Sequence, residues 1–140
     1  MVADTEKRDV SPDSSLRDLG ELRGRLLHLH RALLEMERAN FERDFGRLTS
    51  GELLQLVINH AQFAWLRLIS ALVVQIDEML NADEPATFND FQELLSQARL
   101  LFNSPADEEF KEKYQAALQR DPAVVMAHSE VIDLLRTEAT

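Results

Sequence analysis

The sequence predicts an all-α protein, an antiparallel bundle of about five helices joined by short loops. Three observations predict it. Gly and Pro number four each in 140 residues, so breaks are few and regular segments long. Aromatic residues are only 6% of the chain, and the β-branched pairs Val57–Ile58, Val73–Val74 and Val124–Val125 lack strand-like alternation. Elsewhere apolar residues recur three and four apart, the period of a helix face. No linker is long enough to separate two domains, which leaves a mobile polar arm over 1–10 and one helical domain over 11–140.

The first helix is expected to start at Ser11-Pro12, where proline suits the first turn, or at Ser15, where Asp18 completes a capping-box pattern. It runs to about Phe45 and stops at Gly46. Thr49 and Glu52 form the capping box of the second, which ends near Asn81 before Pro85. Asn59 and Gln62 repeat that pattern inside it, so a break at Asn59–His60 would raise the count to six. Thr87 with Asp90 opens the third helix. Ser104-Pro105 with Asp107 opens the fourth, and Asp121-Pro122 ends it and starts the fifth, which runs to about Arg136.

On the first helix, Leu19, Leu22, Leu26, Leu29, Leu33 and Met36 form one apolar edge with coiled-coil spacing. Leu27, Leu34, Phe41 and Phe45 form another, so this helix is expected to touch two neighbours. Between the edges, Arg23, His30, Glu37 and Asp44 recur every seven residues. Two readings stand for that row: a buried polar network or ligand site between helices, or long side chains in a groove reaching water. His128 sits centrally on the apolar face of the fifth helix, as a hydrogen-bonded core residue or as part of such a site.

The second helix carries 24 residues, Leu53 to Ile76, with Arg67 as the only charge. Leu54, Ile58, Ala61, Trp65, Leu68, Ile69, Leu72, Ile76 and Met79 make an ordinary core stripe. Leu56, Phe63 and Val74 fall on the opposite side, flanked by Arg67 and His60. An aligned apolar set on a second face implies burial all round or a partner. A two-fold homodimer is the commonest assembly that would cover it.

Other classes find little support. The net charge of −10 argues against nucleic acid, whose binding relies on clustered lysine and arginine. Arg67 near the centre of the apolar run makes a membrane span costly, by roughly 2.5–3.5 kcal/mol for that residue alone. No apolar h-region follows Met1, so a cytoplasmic setting is expected. The chain has no cysteine, which removes thiolate ligands and nucleophiles. No Glu-x-x-His, His-Glu-x-x-His or Gly-rich phosphate loop occurs. Neither a cofactor nor a catalytic residue is nominated.

Phe63-Ala64-Trp65-Leu66-Arg67, Gln75-Ile76-Asp77, Tyr114, the stretch Ala117 to Pro122 and His128 together resemble a family of short bacterial all-helical proteins without assigned function. The resemblance spans roughly residues 16–136 and implies a helical fold in a bacterial cytoplasm, with no implied activity. Tyr114 to Pro122 is also similar to the second half of a tetratricopeptide repeat, but no further copy accompanies it. The leading expectation is a non-enzymatic bundle acting through self-association or protein binding, with Leu56, Phe63, Arg67 and Val74 at the contact. The alternative is a small-molecule or metal site around His30, Glu37 and His128.

Overall fold

Fixed-φ proline, capping side chains and a glycine at φ +91° delimit the elements seen in a computed structural model of the chain, which describes residues 12–138 and the side chains of 16–137. The expected arm over 1–10 lies outside the described residues. All regular structure among them is helical: α1 (Pro12–Phe45), α2 (Ser50–Asn59), α3 (Ala61–Ala64), α4 (Arg67–Asn81), α5 (Phe88–Asn103), α6 (Glu108–Arg120) and α7 (Pro122–Glu138). Seven helices replace the expected five or six.

Gly46 closes α1, its N–H donating to the Glu42 carbonyl at 2.8 Å. Across the following loop, Glu42 accepts from the Leu48 N–H at 2.8 Å, and Arg38 donates to both the Glu42 carboxylate and the Leu48 carbonyl. The Leu48 bond, followed by Arg38, holds the Glu42 carboxyl below its ordinary range. Thr49 and Glu52 close a reciprocal capping box, as do Thr87 and Asp90.

α1 is the organising helix. It packs chiefly against α4 and α7, and also meets α3 and α5. Its main edge is sealed: Leu19, Leu22, Leu26, Leu29 and Leu33 are all buried. Each such leucine stabilises the fold by about 2 kcal/mol. The second edge is only partly covered. Phe41 lies against His60 and Phe63, with ring centroids 5.6 and 6.2 Å away, and Leu34 packs on the core. Leu27 and Phe45 are exposed, so this edge is sheltered mainly around Phe41.

The long second helix is in fact three pieces. His60 adopts an extended backbone (φ −96°, ψ 136°) and caps α3 by accepting the Gln62 N–H on Nδ1 at 3.0 Å. Asn59, the expected cap, instead donates its side chain to Gln55. At Trp65–Leu66 the backbone tightens, with carbonyls of Phe63, Trp65 and Leu66 accepting from residues three ahead. These two interruptions rotate α2, α3 and α4 out of a common helical wheel.

Candidate functional site

The rotation redistributes the apolar run. Phe63, expected on an outer stripe, is 0% exposed in the core, and Leu56 is half-buried against it. Val74 alone of that trio faces outward, at 53% exposure. Conversely, Leu54 and Ile58, expected in the core stripe, are 57% and 52% exposed, and Leu68 is exposed too. The wheel failed because it assumed one continuous axis through His60 and Trp65.

A different outward face results. Five of the ten residues of α2 are apolar, yet none of the ten is buried. Leu54 and Ile58, four apart, lie on one side of it. Arg67 does not flank a stripe; its guanidinium donates to the Ile58 carbonyl at the end of α2. This bond satisfies an orphan carbonyl with a cation at the negative helix end, and it pins the start of α4 beside the end of α2. From there Arg67, Leu68, Ala71 and Val74 follow along the exposed side of α4. Leu54 and Ile58 on α2 and Leu68, Ala71 and Val74 on α4 are thus exposed apolar side chains on two helices that Arg67 ties together at the Ile58 carbonyl.

The polar row on α1 separates into individual fates. Arg23 pairs with Asp77 on α4 at 2.5 Å, both half-exposed. His30 is half-buried and makes no hydrogen bond or ion pair among the described residues; burial lowers its pKa below the ordinary 6.5. Asp44 is exposed. Glu37 is the one buried charged side chain among the described residues, at 6% exposure. Its Oε2 accepts from Trp65 Nε1 at 2.9 Å and its Oε1 from Gln62 Nε2 at 2.9 Å. The row is therefore neither a continuous buried network nor a uniformly solvated groove.

Aromatic rings continue from this carboxylate. Trp65 meets Phe110 edge-on at 5.7 Å, Phe110 stacks on Tyr114 at 5.2 Å, and Tyr114 lies 5.5 Å from the His128 ring. The Tyr114 hydroxyl and His128 Nδ1 are 2.7 Å apart. Burial raises the phenol pKa, so Tyr114 stays protonated, and burial lowers that of His128. We assign the hydroxyl as donor to Nδ1, because the phenol has no other partner among the described residues and a buried O–H left unpaired is costly. No hydrogen bond or ion pair joins His30, Glu37 and His128 to one another, so they do not form one polar site.

Sequence reasoning missed Leu54, Ile58 and Leu68 as surface residues, and Gln62, Trp65 and Tyr114 as polar partners. The useful signals were a single tryptophan within reach of an acidic residue and a tyrosine near a histidine. No family model, curated protein or solved structure matches the chain. Among the described residues, no helix is long and apolar enough to cross a membrane. No group of three or more His, Cys, Asp or Glu among them could hold a metal ion.

Proposed function

We propose that the protein is a non-enzymatic helical bundle that works by binding protein through the α2–α4 face, with a second copy of itself as the occupant. The exposed apolar side of α2 carries this reading: an amphipathic helix half of whose residues are apolar, with none buried. Short loops and the packing of α4 and α7 on α1 favour the antiparallel bundle as its scaffold. A self-contact suits the surface, because a chain of net charge −10 repels its own copies except where charge is sparse. Leu54, Ile58, Leu68, Ala71 and Val74 supply such a place.

The energies allow at most a weak dimer. Covering a half-exposed Leu, Ile or Val contributes about 1 kcal/mol. Leu54, Ile58, Leu68 and Val74 on each of two copies would then contribute about 8 kcal/mol, against an association cost of about 4–15 kcal/mol. At most about 4 kcal/mol remains, so assembly should depend on concentration in the millimolar range. Light scattering over a dilution series checks this, with Ile58→Asp as the comparison. The reading expects wild-type mass to rise with concentration and the variant to stay monomeric at unchanged thermal stability. A wild type that is monomeric throughout, or a variant that dimerises equally, rules out self-association by this face.

A further inference from the structure

A cleft of about 370 Å³ opens where the end of α5 meets α6 and α7, beside the Tyr114–His128 pair. Its walls combine apolar groups, Phe102, Leu118 and Leu101 among them, with Lys111, Tyr114 and His128. Polar groups make up about half of its lining, more than in the mainly apolar walls of most ligand sites, so it suits an occupant with a polar end. At roughly 300–1,000 Å³ for such sites, this one is small and suits a single ring or a short chain.

Its charge is exceptional for the molecule. The chain carries 25 acidic residues against 15 lysines and arginines, yet Lys111 is the only formally charged residue lining the cleft. Lys111 forms no ion pair among the described residues, whereas nearby Lys113 pairs with Glu109 at 3.2 Å. With Tyr114 donating to Nδ1, the neutral His128 ring keeps its proton on Nε2, which has no protein partner among the described residues. Among the residues that line the cleft are thus a cation without an ion pair and a histidine with an unused ring N–H, together with two aromatic rings. Phe102 stands 5.6 Å from Tyr114 and 6.3 Å from His128, ring to ring.

We propose that this cleft binds a small monocarboxylate with an aromatic or short aliphatic body, its carboxylate held by Lys111 and the His128 N–H. The proposal is independent of the α2–α4 face, since no residue of α2 or α4 lines the cleft. Phenylacetate and hexanoate, each set against its neutral amide, serve as probes in calorimetric titrations of the full chain. At least one carboxylate should bind saturably and more tightly than its amide. Lys111→Gln, at an exposed position that leaves the fold alone, should weaken the carboxylate about ten-fold and leave the amide unchanged, the effect expected for one charge-assisted hydrogen bond. Gln115→Trp, also exposed and on the cleft wall, should block both. The His128 ring resonances should shift on binding to the wild type. No saturable binding of either carboxylate, equal affinity for acid and amide, or binding unaffected by Lys111→Gln overturns the proposal.

Discussion

Replacing Glu37 by alanine should destabilise the fold by about 3–5 kcal/mol, and replacing it by glutamine by markedly less. The carboxylate is buried and receives two donors, Trp65 Nε1 and Gln62 Nε2, each at 2.9 Å. Hydrogen bonds to a charged group contribute about 1.5–3 kcal/mol each, and alanine removes both, leaving Trp65 Nε1 facing an empty space while Gln62 Nε2 keeps only its 3.3 Å bond to the residue-37 carbonyl. Glutamine keeps one acceptor oxygen of the same shape, so it should retain one bond and cost about 1–2 kcal/mol. With a urea m-value of about 2 kcal/mol/M, the midpoints should fall by about 1.5–2.5 M for alanine and by about 0.5–1 M for glutamine. The assay is urea unfolding followed by tryptophan fluorescence. Trp65 is the only tryptophan in the chain, so the signal reports on the same contact. A Glu37→Ala midpoint within 0.3 M (about 0.6 kcal/mol at the same m-value) of wild type would refute the reasoning. So would a glutamine variant as unstable as alanine, because the partial rescue is what distinguishes lost hydrogen bonds from lost packing.

Two further outcomes follow from local geometry and burial. Gly46 sits at φ +91° with open space around an added Cβ, so Gly46→Ala should cost about 1–2 kcal/mol from backbone strain alone, read as a lower urea midpoint with unchanged helix content. Burial depresses His30 and His128 below the ordinary 6.5. The unfolded chain then binds more protons than the folded one between the depressed values and pH 6.5. Their contribution is full above pH 6.5 and is lost as pH falls through the folded values. Urea midpoints should therefore drop between pH 7.5 and 5.5, and the drop should shrink in a His30→Gln, His128→Gln double variant; an unchanged slope contradicts the assignment.

Much of the fold is legible in the sequence because local chemistry fixes it. Gly46, Thr49 with Glu52, Thr87 with Asp90, Asp107 and Asp121-Pro122 each act through their own backbone neighbourhood, and each marks a helix limit in the structure. The leucine edge of α1 is likewise written in its spacing. The run from Leu53 to Ile76 is different. Its break at His60 is local and is signalled by the capping pattern there, but helical periodicity passes straight through Trp65–Leu66, where no local signal marks the second break. Trp65 and Gln62 reach 28 and 25 residues back to Glu37, and Arg67 turns onto Ile58. Those bonds place Phe63 inside and Leu54 and Ile58 outside, reversing the wheel. Glu37 shows the same limit: its spacing matches that of Asp44, yet one is buried and the other is exposed.

The proposed binding of a second copy through α2 and α4 is tested most directly by amide hydrogen exchange measured at low and at high protein concentration. The account predicts that concentration slows exchange selectively in residues 53–59 and 67–74, the ends of α2 and α4 that carry Leu54, Ile58, Leu68 and Val74, while α6 and α7 exchange unchanged. Identical exchange at both concentrations, or protection arising on another surface, contradicts it.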